Sequence, residues 1–73
     1  FGKVSVNQVS PGVYELSSEV LTGSEFVYLN GLLQEEGSDY TTQAGPNGET
    51  GQITFLYDNE NGRVIVAGQV VAP

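Results

Sequence analysis

Phe26-Val27-Tyr28-Leu29-Asn30-Gly31-Leu32-Leu33 places two short apolar runs on either side of an Asn-Gly pair. A two-residue type I′ turn needs φ > 0 at both central positions, and Asn-Gly meets that need better than any other pair. The stretch therefore reads as a β-hairpin in which Leu29 faces Leu32 and Tyr28 faces Leu33. Cross-strand apolar pairs of this kind stabilise a sheet. Within Glu25 to Leu29, Phe26 and Tyr28 fall on one face and Val27 and Leu29 on the other. A half-solvated antiparallel strand is polar on one face. Here both faces are apolar, so either a second sheet or a neighbouring subunit must cover the second one.

The segments on either side follow the same period of two. Lys3 to Val9 alternates Val4 and Val6 with Ser5 and Asn7, the pattern of a half-buried strand. Ser10-Pro11-Gly12 supplies a turn, and Val13 to Leu16 returns with Tyr14 and Leu16 on one face. Ser18-Glu19-Val20-Leu21 fits one capped helical turn but is too short to stand as a helix. Ser17 to Ser24 reads instead as a connection that tucks Val20 and Leu21 under the sheet. Glu35 to Ser38 is a loop, Asp39 to Thr42 a strand, and Ala44 to Gly51 a surface loop with three glycines and a proline. Gln52 to Tyr57 is the clearest strand, with Ile53, Phe55 and Tyr57 inward. Asp58 to Gly62 turns the chain, Arg63 to Ala67 pairs back, and Gly68 marks a bulge or bend. Apolar segments recur about every ten residues, the spacing of an all-β antiparallel sandwich or small barrel of about seven short strands.

Seventy-three residues make one domain, read here as 1–73. A chain of this size buries only about 60–65% of the surface its unfolded form exposes, so small domains lean on disulfides, metals or partners. With no Cys and no His there is no disulfide, no thiolate site and no histidine ligand or base. A partner chain is the device that remains. Nine acids stand against two bases, Lys3 and Arg63, a net charge of −7. That balance argues against nucleic acid and anionic membrane surfaces, both of which recruit Lys and Arg. No apolar stretch approaches the ~20 residues of a membrane helix, so no membrane insertion is expected. The chain opens on Phe1 and not Met, and so reads as a fragment of a longer or processed chain.

Little in the sequence points to chemistry. A catalytic triad needs a His or an equivalent base. Glu35, Glu36 and Asp39 are close in sequence, but paired hydrolytic carboxylates must face one another across a cleft. Asp58-Asn59-Glu60-Asn61-Gly62 has oxygen-rich side chains, yet its Gly is fifth and Gln69 stands where an EF-hand places its bidentate Glu. It reads as a hairpin turn. No catalytic residue, metal ligand or cofactor is expected. Of the four tyrosines, Tyr28 and Tyr57 read as core, and Tyr40, beside the acidic loop, as surface.

The run Leu21 to Gln34, followed by Gly37-Ser38-Asp39-Tyr40-Thr41, Gln52-Ile53-Thr54-Phe55 and Gly62-Arg63-Val64-Ile65-Val66, resembles a small β module of bacteriophage tail-fibre and related virion appendage proteins. The resemblance spans roughly residues 13–71. It departs at the closing turn, where the family often has Ala-Pro and then Gly-Asp, and in the longer loop before Gln52. It implies a non-enzymatic structural module at the virion surface, in a tail fibre or tailspike, that serves assembly and host-surface attachment. The implied partners are two further copies in a homotrimer, other virion proteins, and a host glycan or protein. A capsid-decoration or head-appendage protein, or a carbohydrate-binding module of a larger protein, is the alternative. On this reading Val27, Leu29 and Leu56 bury against neighbouring subunits, and Glu35, Glu36, Asp39, Tyr40 and Asn47 form exposed recognition loops.

Overall fold

A computed structural model describes residues 2–57 and 62–71. Among these, eight strands and no helix are found: β1 (Gly2–Val4), β2 (Val6–Ser10), β3 (Val13–Val20), β4 (Phe26–Leu29), β5 (Leu32–Leu33), β6 (Tyr40–Ala44), β7 (Thr50–Phe55) and β8 (Val64–Gly68). They form two antiparallel four-stranded sheets, ordered β1-β8-β4-β5 and β2-β3-β7-β6, packed as a small β-sandwich. The Asn30-Gly31 hairpin is present in the expected register, with Tyr28 opposite Leu33 and Leu29 opposite Leu32. Asn30 at φ 54° and Gly31 at φ 84° give the primed turn whose twist matches its strands.

The core is the set of side chains facing between the sheets. Val4, Val27, Leu29 and Val66 come from the first sheet. Tyr14, Leu16, Val20, Tyr40, Ile53 and Phe55 come from the second. Phe55 is its aromatic centre: the Tyr14 ring stands edge-on to it at 5.8 Å between centroids, and the Tyr40 ring lies 6.4 Å away.

The expected strand from Lys3 to Val9 is two strands. The chain pairs with β8 through Val4, breaks at Ser5, and enters the other sheet to pair with β3 from Val6. The chain crosses again after β8. Beyond Gly68, Gln69 accepts the Leu21 N–H at 2.8 Å, and the Val71 N–H donates to Glu19 at 2.9 Å. The end of β3 is thereby flanked by Thr50 on one side and Val70 on the other. This explains why Ser17 to Val20 is strand and not a connection: tertiary pairing overrides weak local propensity. Val20 is fully buried as expected, but Leu21, beyond the last rung, is exposed. Gly68 is the last residue of β8, where a Cβ would lie 3.0 Å from the Val20 Cβ. Close approach of Val20, more than a bulge, is what a glycine serves here.

Three further expectations are corrected by the pleat. Val27 and Leu29 do not face a neighbouring subunit. They point at this chain's own second sheet, at 0% and 9% exposure. The face left open is the alternate one, carrying Phe26 and Tyr28. Tyr57 is not core: β7 ends at Phe55, the chain bends, and Leu56 and Tyr57 are both exposed. Tyr28 is half-buried on the outer face. The expected hairpin turn at Asp58 to Gly62 falls, save for Gly62, outside the described residues.

Truncating a side chain between the sheets differs sharply from truncating one three residues along. Ile53→Ala, at a fully buried site, should cost about 2–5 kcal/mol in chemical denaturation. Leu56→Ala, at an exposed one, should stay within about 0.5 kcal/mol. Equal losses would contradict this division of inside from outside.

Candidate functional site

The outer faces of the two sheets differ in chemistry. Residues paired across a ladder share a face, so Tyr28 stands between Leu33 and Ile65 on the outside of the first sheet. The next outward rung is Phe26, Ala67 and Lys3. Leu33 is 59% exposed and Phe26 44%. This face is apolar, and the chain's two bases mark its ends. Lys3 lies on β1, and Arg63 just before β8, where its N–H donates to the Asn30 side chain at 2.9 Å.

The outer face of the second sheet is polar. One rung runs Asn7, Glu15, Gln52 and Gln43 across β2, β3, β7 and β6, and a second runs Val13, Thr54 and Thr41. The Thr54 hydroxyl donates to Gln43 Oε1 at 2.9 Å, so neighbouring rungs are tied. Beyond the first rung both ladders lose register. Four β3 residues, Leu16 to Glu19, pass between the Glu15–Gln52 and Val20–Thr50 pairs, against Gly51 alone on β7. At this break lies a groove of about 790 Å³, lined by β3 on one side and the β6–β7 loop on the other.

That loop is held shut by one carboxylate. Glu19 Oε2 accepts the Asn47 backbone N–H at 3.0 Å and its side-chain amide at 3.2 Å, while Oε1 accepts the Glu49 N–H at 3.1 Å. Glu49 reaches on to the Thr22 N–H and hydroxyl at 3.0 and 2.9 Å. These donors hold the Glu49 carboxyl below its ordinary range, the backbone N–H contributing most. Within the loop, Gly45-Pro46-Asn47-Gly48 closes a turn through the Gly48 N–H and the Gly45 carbonyl, with Gly48 at φ 86°. Gly45 and Gly51 form the narrowest point. A Cβ on Gly45 would meet the Glu19 side chain at 2.6 Å, and one on Gly51 would meet Gly45 Cα at 2.9 Å.

The residues expected to form recognition loops are not gathered into one surface. Glu35 and Glu36 are exposed before β6, whereas Asn47 is exposed after it, about 15 Å away along a five-residue strand. Asp39 is half-buried, and its Oδ2 accepts the Glu35 N–H at 2.8 Å, folding the acidic loop on itself. Tyr40 is buried at 2% exposure and not at the surface, because it begins β6 with its ring against Phe55. Its hydroxyl donates to Glu25 Oε2 at 3.1 Å, linking β6 to the entry of β4 in the other sheet. Burial first, then the charge of Glu25, push the phenol well above its ordinary value. Of the expected interface residues only Leu56 is exposed. Among the described residues, no group of three or more His, Cys, Asp or Glu side chains is placed to hold a metal ion.

Sequence reasoning did not find the groove. Its one local signal is the spacing of Gly45 and Gly51 about a Pro-Asn-Gly turn. Glu19, 28 residues before Asn47, carries no such signal.

Glu19 is tested by mutation, and Glu49 and Tyr40 respond oppositely to pH. Glu19→Ala should raise amide exchange at Asn47 and Glu49 at least tenfold and leave Ile53 protected. Since the Glu49 pKa is depressed in the fold, its hold on Thr22 is present above the ordinary carboxylate range. It is lost as pH falls through the lower folded value, to be read as faster Thr22 exchange. Tyr40 has the opposite sign. Its raised pKa gives stability that is present below pH 10 and is lost as pH climbs through the folded value. Tyr40→Phe should therefore cost about 1–2 kcal/mol at neutral pH and flatten the alkaline fall in a denaturation series.

No known protein family, curated protein or solved structure matches this chain.

Proposed function

We propose that this chain is a non-enzymatic structural module of a bacteriophage virion appendage, of the tail-fibre or tailspike kind, that assembles with copies of itself and with other virion proteins. The observation behind this reading is the open apolar face of the first sheet. Leu33, Tyr28, Ile65 and Ala67 line it, backed by a sheet whose other face is already the core. Exposed apolar surface of this sort, bordered by charge, is typical of protein–protein contact.

Charge favours a second copy as the occupant. Two molecules of net charge −7 repel, and repulsion is least where acids are scarce. The rungs of this face hold Lys3 and no carboxylate, with Arg63 at the far end. By contrast, Glu15 sits at the centre of the outward rung on the other sheet. The resemblance to trimeric appendage modules, stated on sequence grounds, agrees with such self-association.

Light scattering behind a sizing column tests this. A native mass near three times 7.7 kDa is expected. Leu33→Asp should return the protein to monomer without unfolding it, because Leu33 is outside the core. Thr54→Asp, on the opposite outer face, should leave the mass unchanged. A monomer at millimolar concentration, or a trimer indifferent to Leu33→Asp, would remove the support for assembly through this face.

A further inference from the structure

We propose that the groove on the outer face of the second sheet is a binding site for a neutral oligosaccharide. It lies on the opposite side of the sandwich from the apolar face and does not depend on assembly through that face. Its volume, about 790 Å³, is within the range of small-molecule sites.

The lining decides the ligand class. Glu15, Gln43, Gln52, Ser17 and Ser18 contribute carboxylate, amide and hydroxyl groups. Together they both donate and accept hydrogen bonds, as the hydroxyls of a sugar require. Pro46 and Val71 add apolar surface at the walls for the C–H face of a ring. No Lys or Arg lines the groove, and Glu15 and Glu19 oppose an anion such as a phosphate or an acidic sugar. A cationic ligand is poorly served too. Both Glu19 oxygens already accept N–H donors from the loop, so Glu15 is the main carboxylate left to meet it.

The geometry suits a chain. Glu15, Gln52 and Gln43 stand side by side on three adjacent strands, and strands lie about 4.8 Å apart, close to the advance per sugar ring in an extended oligosaccharide. The groups are mounted on paired strands, which hold a site more precisely than free loops do. The loop wall is fixed through Glu19. Gly45 and Gly51 make room for the Glu19 side chain and for each other's backbone, which lets the loop close against β3 as a fixed wall.

Titration of the ¹⁵N-labelled full chain with neutral hexose and N-acetylhexosamine tetrasaccharides tests the site. The separate comparison ligands are polygalacturonate and oligolysine. Backbone shifts are expected at Glu15, Gln43, Gln52 and Asn47, with neutral tetrasaccharides binding at least tenfold more tightly than either charged probe. Gln52→Ala should weaken binding at least tenfold, and Ser17→Leu should do the same by obstructing the β3 wall. Both sites are on the outer face, so the core amides report whether each variant is folded. Leu33→Asp should leave the affinity unchanged. Absence of shifts with every neutral saccharide, tighter binding of a charged probe, or full affinity in folded Gln52→Ala and Ser17→Leu would each overturn the proposal. Loss of binding in a folded Leu33→Asp monomer would overturn the independence of the two faces.

Discussion

Of the backbone's several passages from one sheet to the other, two run from strand to strand without an intervening loop and hold this sandwich together. One is at Ser5, where β1 gives way to β2. The other follows Gly68, where the chain leaves β8 and runs beside the end of β3. Each joins the sheets covalently, so neither sheet can shift without dragging the other. The second crossing brings Val20 against Gly68 so closely that a Cβ at residue 68 would stand 3.0 Å from the Val20 Cβ. With no disulfide available, this close approach and the Tyr40–Glu25 hydrogen bond are among the ties between layers that supplement burial.

The sequence marked the strands well and their facing less well, for a definite reason. Alternation in Phe26 to Leu29 places Phe26 with Tyr28 and Val27 with Leu29. It cannot say which pair turns inward when both are apolar. That choice is made by β8, whose Val66 and Val64 pair with Val27 and Leu29 and face the second sheet. Tyr40 and Tyr57 exchanged their expected places for a related reason. Tyr40 opens β6 in register with the inward Phe55 and is carried into the core, whereas Tyr57 lies beyond the end of β7 and escapes it. A shift of one or two residues in a strand's end moves a side chain across the molecule's surface.

The groove was illegible because it lies where the β3–β7 register breaks, a property of a pair of strands and of neither alone. Leu16 to Glu19 contain nothing to announce that they oppose a single glycine. Only the register of β3 on β7 reveals it. Glu19 likewise looks like an ordinary surface acid until Asn47 and Glu49 turn their N–H groups toward it. The glycines were visible, but as generic loop residues. Their specific service, giving passage to Glu19 and to each other's backbone, needs three segments in place at once.

The first sheet ends in two very short strands, three residues in β1 and two in β5. The Asn30-Gly31 turn is what permits β5 to be so brief, since it returns the chain at once and lets Gln34 pass onward with its N–H on the Val27 carbonyl. A border of unpaired backbone groups invites an outside strand to continue the sheet, and its reach scales with its length. Cut down to two residues, the β5 border offers almost nothing to copy. The apolar exterior beside it is then met flat-on, by side chains, more readily than this sheet is extended at that edge.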